Sequence, residues 1–462
     1  MSPFSNAETY VAQLKNIEQQ INQNQLQEAA RQLNFLAGTN PGDPRLFLLG
    51  SRLAEAAHNP AGMLEAARQA HQLAPGWPIA TIHLAEVLSG RGDADEAMSM
   101  ASLAVEQGSA QAPIDPELLI KAAAIARRAS QPQTALQWLQ QAQEFRPTDT
   151  RIRFQIGLNL ASSGAPGRAI EIFTALLEQQ PGNQVLLRER LRACLSARQT
   201  DQAIHDGEAL VAMEPSNEVY QFLLDIALGK TPKTQPGAII TGLFDGYAAH
   251  FDHSLVVQLQ YKLPRDVAQK IIEWYPDRKV DVLDLGCGTG LLGACLGPVN
   301  GALIGVDLSQ QMIDQAAVHQ VYHRFHRVNI LDALAATPAD HYDVITALDV
   351  FIYVGELDTA IPNACRILTD GGRFVFSCEA GAGDQADYTL QSTLRYTHQR
   401  SYVQRLLQEA GFADIDMNDL VLRHEAGEPV PGFLVTARKP LKAAEKSARK
   451  SPKNAKPVRP AQ

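Results

Sequence analysis

The stretch DVLDLGCGTGLLG, residues 281–293, is a short apolar run that closes on a series of glycines. An apolar run of this length predicts a buried strand, and glycine directly after it permits a tight turn. In an open parallel sheet, ligands bind beyond the carboxyl ends of the strands. The stretch therefore predicts a ligand-binding turn that begins at Gly286.

The glycines fit two templates, which differ in the charge of the ligand. Read from Gly288, GTGLLG matches the G-x-G-x-x-G of dinucleotide-binding folds, whereas DLGCGTG places Asp284 two residues ahead of the loop. A pyrophosphate is anionic, so a nearby carboxylate opposes it; S-adenosylmethionine carries an ammonium and a sulfonium, which a carboxylate favours. We therefore interpret Asp284 as the informative residue and the glycine at Gly293 as incidental.

Further short apolar runs follow at 302–308, 326–331, 342–348 and 372–379, with amphipathic segments such as DTAIPNACRIL between several of them. This alternation predicts a mostly parallel sheet that is covered on both faces by helices. At the end, residues 413–425 and 433–439 read as two strands joined by the turn GEPVPG, residues 427–432. We expect an antiparallel hairpin there.

The first 215 residues contain a repeat that is marked by prolines. Pro41, Pro75, Pro147, Pro181 and Pro215 are separated by 34, 72, 34 and 34 residues, and Ser109 splits the 72 into 34 and 38. Alanine stands twelve residues before five of these six marks, and Met63 before the other. The period resembles the tetratricopeptide repeat, with Gly50 and Gly157 at its small first-helix position. We predict an all-α solenoid of about six repeats with a capping helix over residues 1–228.

The second half resembles another family. VLDLGCGTG followed by GVDLSQQMI is similar to the first motif and the next acidic strand end of class I S-adenosylmethionine-dependent methyltransferases. The likeness extends over about 244–439, and bacterial methyltransferases with N-terminal tetratricopeptide repeats share both halves. It implies a Rossmann-like α/β methyltransferase domain over 241–439, after a linker at 229–240.

The resemblance also implies a set of cofactor-binding residues for S-adenosylmethionine and its product S-adenosylhomocysteine. Asp284 would face the methionine part, Asp307 the ribose, and Asn329 the adenine amino group, with Asp332 as an alternative. Tyr247 and Phe251 would form a lid, or would pack between lid and core. The full set is Tyr247, Phe251, Asp284, Gly286, Cys287, Gly288, Gly290, Asp307, Leu308, Met312, Asn329, Ile330, Leu348 and Asp349.

The methyl acceptor is harder to assign. Tyr353 and His398 are candidate catalytic residues, since histidine accepts a proton at neutral pH, and Arg395 and Tyr396 are candidate substrate residues. The alternative is that the tyrosines line the wall and that His398 is exposed on the surface. The fourth strand lacks the Asn/Asp-Pro-Pro-Tyr/Phe motif of enzymes that methylate amino groups of bases, which disfavours nucleic acid as substrate.

Composition limits the other possibilities. The chain has 462 residues, five scattered cysteines and no run of 18 apolar residues, so we expect a cytoplasmic protein without a metal site or a membrane span. The net charge of −9 divides into +8 on residues 438–462 and −17 on the rest. The tail, 440–462, should be disordered, with nucleic acid as one conceivable partner.

Three hypotheses for function follow. The first is a methyltransferase whose repeats recruit a protein or carrier-bound substrate through their concave face. The second is a scaffold whose methyltransferase-like domain binds the cofactor without catalysis. The third is an NAD-linked oxidoreductase, which Asp284 disfavours.

Overall fold

A computed structural model describes residues 3–110, 113–245, 261–383, 386–425 and 428–441. The chain divides into two compact units, Met1–His253 and Ser254–Gln462. The helix Gly237–Asp245 (α14) therefore belongs to the first unit, whereas the sequence led us to end that unit at residue 228. The predicted tail lies almost entirely outside the described residues.

The first unit is a series of antiparallel helix pairs, which confirms the predicted all-α repeat array. Six pairs and a single last helix precede α14 within the described residues. They are α1 (Pro3–Asn22), α2 (Leu26–Thr39), α3 (Pro44–Ala56), α4 (Pro60–Leu73), α5 (Pro78–Arg91), α6 (Ala94–Ala110), α7 (Pro116–Arg128), α8 (Pro132–Phe145), α9 (Thr150–Ser162), α10 (Pro166–Gln179), α11 (Gln184–Ala197), α12 (Thr200–Met213) and α13 (Glu218–Ala227).

The proline series marks the ends of second helices. Each proline lies two residues after the last residue of its helix, as Pro41 follows Thr39, because proline cannot continue the helical hydrogen bonds. Where Ser109 replaces the proline, α6 runs for 17 residues, against 14 in α2, α4, α8, α10 and α12. Three of the four extra residues of this repeat thus lie in its second helix, α6.

Small residues allow the paired helices to approach closely. The five alanines of the repeat, Ala169 among them, are fully buried. At Gly157 a Cβ would lie 2.6 Å from the ring of Phe173. At Gly50 the nearest atom would be 3.7 Å away, whereas the neighbouring Ser51 is fully buried. Ser51, and not Gly50 as we predicted, is therefore the small residue that this repeat needs.

The helix pairs form two layers. Successive first helices touch one another in the pairs α1 with α3, α3 with α5, α5 with α7, and α11 with α13. Successive second helices share at most marginal contacts within the described residues. The contacts of α5 with α7 and of α11 with α13 place α7 and α11 in the first-helix layer, although α7 with α9 and α9 with α11 share at most marginal contacts in the described part of the chain. The repeat alternation places α9 in the same layer. Because the inner layer of a curved solenoid is the more crowded one, we infer that the first helices form its concave surface.

The second unit contains a mixed sheet with helices between its strands. Its helices are α15 (Leu263–Trp274), α16 (Leu291–Leu296), α17 (Gln310–Val318), α18 (Ile330–Ala336), α19 (Ala360–Ile367) and α20 (Arg400–Glu409). Its strands are β1 (Val282–Leu285), β2 (Leu303–Asp307), β3 (Arg324–Arg327), β4 (Tyr342–Ala347), β5 (Leu368–Ala380), β6 (Tyr388–Leu390), β7 (Tyr396–His398), β8 (Ala413–Glu425) and β9 (Glu428–Arg438).

The strand order confirms the predicted fold class. Strands β3, β2, β1, β4 and β5 are parallel neighbours in that order; β9 pairs antiparallel with β5, and β8 with β9. The short strand β7 pairs with the last two residues of β5, and β6 pairs with β7. We did not predict β6 and β7. The carboxyl ends of β2, β1 and β4 meet at one edge, where the switch point lies.

Two element boundaries differ from our expectations. The third strand ends at Arg327 and not at residue 331, because Asn329 caps α18 through a hydrogen bond from the backbone N–H of Leu331. In the hairpin, Glu425 already pairs with Glu428, so most of the predicted turn GEPVPG belongs to β9.

Candidate cofactor and acceptor site

The glycine turn after β1 has a backbone that other residues adopt at a cost. Gly286 has φ +62°, and a Cβ there would lie 2.5 Å from the side chain of Val350. Gly290, at φ +82°, is the residue before α16. A positive φ is strained for a residue with a Cβ, so glycine is required at both positions.

Asp307 connects this turn to the end of β2. Its carboxylate accepts hydrogen bonds from the backbone N–H groups of Gly288 and Ser309, both at 2.9 Å. These bonds fix the carboxylate at the edge where the turn opens. A carboxylate has about four lone-pair positions, so hydroxyl groups of a ligand can still donate to it.

Asp284 lies at the end of β1 and is almost completely buried, with 3% of its surface exposed. The hydroxyl groups of Tyr322 and Thr346 donate to its two oxygens at 2.7 Å each. Asp284 forms no ion pair within the described residues. Burial raises the pKa of Asp284 to about 6; the two hydrogen bonds oppose this, and the nearby charge of Asp307 adds to it.

Tyr322 explains the glycine at Gly293. A Cβ on Gly293 would lie 2.3 Å from the ring of Tyr322, and the Gly293 N–H donates to the Tyr322 hydroxyl at 3.2 Å. The glycine makes room for the side chain that holds Asp284. Our interpretation of Gly293 as incidental was therefore wrong, and Tyr322 is a site residue that no sequence signal singled out.

The two carboxylates make this turn negatively charged. Asp284 has no cation to balance it among the described residues, and Asp307 lies close enough to raise its pKa. A pyrophosphate would meet like charge here, whereas a cationic ligand would compensate a buried carboxylate. The electrostatics thus support the argument made from Asp284 in the sequence.

Other predicted cofactor residues surround the same edge. Cys287 and Met312 are buried. The amide oxygen of Asn329 accepts from the Leu331 N–H at 2.8 Å and keeps one lone pair for another donor. The exposed Asp332 lies in the first turn of α18.

Leu308, Ile330 and Leu348 are half-buried at the ends of β2 and β4 and at the start of α18. Their contacts with the cofactor remain predictions, as do those of the residues above. Tyr247 and Phe251 lie outside the described residues.

On the other side of β1, Asp349 follows β4 in a left-handed conformation. Its φ is +59°, and its N–H donates to the Ser377 hydroxyl at 2.8 Å. Non-glycine residues with positive φ are uncommon and concentrate at functional sites. Burial raises the pKa of Asp349, although the charge of Arg423 opposes the shift.

Arg423, on β8, joins three acidic groups. Its side chain is 2% exposed and bonds Asp349 at 2.6 Å, Glu425 at 2.8 Å, and Glu379. Arg395 pairs with Glu379 and Glu425. Burial alone would lower the pKa of Arg423, but the surrounding carboxylates outweigh this effect and raise the pKa. We call Asp349, Glu379, Arg395, Arg423 and Glu425 the ion cluster.

Two tyrosines lie close to the ion cluster. Tyr261 is 7% exposed, and its hydroxyl has no hydrogen-bond partner within the described residues. Burial raises the pKa of Tyr261, and the charges of Asp349, Arg423 and Asp284 also affect it. Its hydroxyl therefore lies near the ion cluster and near Asp284. Burial likewise raises the pKa of Tyr353, and the charge of Asp349 raises it further. Both phenols are therefore neutral at physiological pH.

His398 does not fit the catalytic role that we predicted. It is fully buried, and its Nε2 lies 3.0 Å from the carbonyl oxygens of Val354 and Gly355, so this nitrogen carries the proton. Its Nδ1 is buried and unpaired among the described residues. Burial lowers its pKa to about 4, against the effect of the two carbonyls. A general base must reach a substrate proton, which this buried ring does not.

Neither alternative for the adjacent residues holds in full. His398 is not exposed either, and Tyr396, a predicted substrate residue, is fully buried with its ring against that of Tyr388. Arg395, the other predicted substrate residue, is partly exposed within the ion cluster. The side chains of Tyr396 and His398, on β7, are thus part of the core.

The glycine turn and the residues that surround it lie in a segment that matches a known domain family. Residues 283–374, from β1 into β5, match the family model described as "Methyltransferase domain". This part of the chain is therefore similar to methyltransferase domains. The match, together with the strand order, confirms the resemblance to class I S-adenosylmethionine-dependent methyltransferases.

Curated relatives of the domain include ubiquinone biosynthesis O-methyltransferases. The protein of that name from Nitrosospira multiformis is 28% identical over 159 residues, which cover 30% of this chain and 64% of the relative. The mitochondrial protein of Homo sapiens is 31% identical over 97 residues, which cover 20% of this chain and 26% of the relative. The chain thus spans less than two thirds of the length of these relatives.

A solved structure of a tetratricopeptide protein is similar to the other half. YrrB, described as having an unusual peptide-binding site, is 21% identical, covers 43% of this chain and 97% of its own, and has a TM-score of 0.35.

The described residues contain no group of three or more His, Cys, Asp or Glu side chains that could hold a metal ion. No described helix combines the length and the apolar character that crossing a membrane requires.

Proposed function

We propose that the methyltransferase domain binds S-adenosylmethionine at the glycine turn and transfers its methyl group to an acceptor that the helical array recruits. The observation that carries the proposal is the buried carboxylate of Asp284, which has no cationic partner among the described residues. The ammonium of the methionine part supplies the missing charge. Asp307 accepts from the ribose hydroxyls at the end of β2.

When bound, the sulfonium supplies an activated methyl group, so the chain needs to hold a nucleophile in line and exclude water. The ion cluster, the buried Tyr261 and the half-buried Tyr353 serve this purpose. The neutral hydroxyls of Tyr261 and Tyr353 donate hydrogen bonds to the acceptor. Arg423 fixes the carboxylate of Asp349, which orients the nucleophile or accepts its proton.

The helical array provides the recruiting surface. A repeat solenoid presents a long concave face, which suits an extended polypeptide better than a small molecule. The acceptor is therefore a protein, or a group carried on one.

The cofactor assignment can be tested through the replacement Asp284→Asn. A carboxyl group whose pKa is higher in the folded than in the unfolded chain destabilises the fold at pH values above its unfolded-state pKa. The variant should therefore unfold at a higher temperature at pH 7 while its affinity for S-adenosylhomocysteine falls at least tenfold. A purely structural Asp284 would give a loss of stability instead, and that result would contradict the proposal.

Ligand selectivity is tested on the unchanged protein. S-adenosylhomocysteine should raise the unfolding temperature and NAD should not. Stabilisation by NAD alone would exclude the proposal in favour of an oxidoreductase.

Methyl transfer itself is tested with cofactor labelled on the methyl group and a cell lysate as the source of acceptors. We expect label in the protein fraction, and its loss in Asp349→Asn with S-adenosylhomocysteine binding retained. Tight binding of S-adenosylhomocysteine without transfer to any lysate component would instead support a non-catalytic scaffold.

A further inference from the structure

The concave layer of the helical array changes its charge along the chain. The first helices of repeats four to six, α7, α9 and α11, carry eight Lys and Arg against two Glu, a net charge of +6. The corresponding helices α1, α3 and α5 have a net charge of 0. The second helices α8, α10 and α12 carry −5. Positive charge is thus concentrated on one layer of one half of the array.

Part of this charge lies on the exposed stripe of each helix. In α7 the buried residues Leu118, Ala122 and Ile125 face the core, and Arg127 and Arg128 lie exposed at the end of the opposite stripe. In α11 the exposed Arg192 alternates with buried Leu191 and Ala193 in the same way. These arginines therefore point away from the core of the array.

Apolar side chains lie between the arginines. Phe154 and Leu158 are half-buried on α9, and Leu158 stands 34 residues before Arg192, at the equivalent position of its repeat. Such residues would contact apolar side chains of an extended segment. The surface therefore combines apolar contacts with positive charge.

The exposed arginines are available to a partner. Arg127, Arg128 and Arg192 form no ion pair within the described residues, whereas Lys121, Arg151 and Arg188 of the same helices do. The half-buried Arg190 is likewise paired with Asp206, at 2.7 Å. Unpaired guanidinium groups on one face attract carboxylates and fit them in a bidentate geometry.

We infer that the concave layer of α7, α9 and α11, called here the basic face, binds an acidic, extended polypeptide segment that also carries apolar residues. Nucleic acid fits less well, because the negative second helices of the same repeats would repel a continuous phosphate backbone. The inference rests on the recruiting role proposed above and specifies the chemistry of the partner.

The test uses the full chain and a fluorescent peptide of repeated Glu-Glu-Gly-Leu units, with fluorescence anisotropy as the readout. The triple variant R127E/R128E/R192E should bind this peptide at least tenfold more weakly than the unchanged protein. A Gln-Gln-Gly-Leu peptide should bind the unchanged protein at least tenfold more weakly than the acidic one. Binding of the acidic peptide should also weaken as salt increases.

A matched control reverses three charges on the second helices of the array, in R31E/R68E/R168E. It should retain the affinity of the unchanged protein. Equal weakening in both triple variants would mean a general charge effect and would overturn the inference. So would unchanged binding in R127E/R128E/R192E, which would place the peptide elsewhere, such as on the lysine-rich C-terminus. Tighter binding of a matched oligothymidine than of the acidic peptide would assign the basic face to nucleic acid.

Failure of this inference can be distinguished from failure of the methyltransferase proposal. Circular dichroism should give both triple variants unchanged helical content, and S-adenosylhomocysteine should bind them normally. Loss of peptide binding with retained cofactor binding supports the inference, whereas absence of cofactor binding in the unchanged protein counts against the methyltransferase proposal alone.

Discussion

On the β1 and β2 side of the sheet edge, the glycine turn and the Asp307 carboxylate that fixes it come from residues close together in the sequence, whereas the ion cluster on the β4, β5 and β8 side comes from distant ones. The Gly288 N–H and the Asp307 carboxylate that it meets are 19 residues apart. Arg423 is 74 residues from Asp349 and 44 from Glu379. The first side is a local turn, and the second is assembled by the completed fold.

The two sides also treat buried charge differently. The ion cluster holds three carboxylates with two arginines, while Asp284 has hydroxyl donors and no cation among the described residues. Carboxylates that are paired with cations hold their geometry without a ligand. A buried carboxylate without a cation is stabilised most when a cationic group of a ligand binds beside it. We therefore expect the side of the glycine turn, where we propose that the cofactor binds (the cofactor side), to respond to its ligand, and the side of the ion cluster, where we propose that the acceptor binds, to keep its geometry.

The largest effect should come from Arg423→Met, which keeps roughly the volume of the side chain but leaves Asp349 without its cation and Glu379 with Arg395 alone. Removing one partner of a buried ion pair typically costs about 3–5 kcal/mol of folding free energy. Urea unfolding of the full chain, followed by tryptophan fluorescence and circular dichroism, should show this loss in one of two transitions.

The control for that variant is Arg400→Met. Arg400 pairs with Asp419 on the surface, with side chains 43% and 81% exposed, so its loss should cost less than about 1 kcal/mol. Similar losses in the two variants would mean that Arg423 does not compensate the charge of the carboxylates in the ion cluster.

The next effect should come from Gly286→Ala on the cofactor side. The alanine would have to adopt φ +62° and would meet Val350, which together cost on the order of 1–3 kcal/mol or more. Relief of the strain would move the turn, so affinity for S-adenosylhomocysteine should fall by roughly ten- to a hundredfold. Calorimetric titration measures this directly.

The double variant Gly286→Ala/Val350→Ala separates the two causes. It removes the clash but not the positive φ, so it should recover part of the affinity. Full recovery would mean that the positive φ of the turn is unimportant. No recovery would mean that the clash with Val350 is unimportant.

A third effect concerns pH and belongs to Asp284 alone. Since its pKa is raised to about 6, the carboxyl group is ionised above that value and protonated below it in the free protein. The ammonium group of the ligand requires an ionised Asp284, so below pH 6 binding must displace the proton, and affinity for S-adenosylhomocysteine should fall by up to about tenfold for each pH unit. Asp284→Asn should remove this dependence. An equally steep profile in that variant would assign the titration to another group.

These differences explain what could be predicted from the sequence. The glycine turn, Asp284 and Asp307 could be singled out because a tight turn leaves a local pattern of residue types. Asp349 was singled out as a cofactor residue because it follows a recognisable strand, and the roles of all these residues stay predictions. Arg423 and Glu379 were missed because nothing in the sequence of β8 or β5 indicates which distant charge each one meets.

His398 shows the opposite error. Residue type alone suggested a proton acceptor, whereas the fold buries the ring and places its Nε2 against two backbone carbonyl groups. Tyr322 was missed for a related reason. It lies outside every motif and reaches Asp284 only because Gly293, 29 residues earlier, leaves room for its ring.

The smallest effect should come from Tyr322→Phe, which removes one hydroxyl from the cofactor side. The Tyr322 hydroxyl donates to Asp284 and so stabilises the ionised carboxylate; without it the pKa of Asp284 should rise above 6. The loss of one hydrogen bond to a charged group corresponds to about 1.5–3 kcal/mol at most. The pH midpoint of S-adenosylhomocysteine binding should therefore move upward, while affinity well above that midpoint changes little. Thr346→Val removes the other donor and should shift the midpoint in the same direction. If Tyr322→Phe instead lowered affinity equally at all pH values, Tyr322 would act by packing against Gly293, and the cofactor side would depend on shape more than on the charge of Asp284.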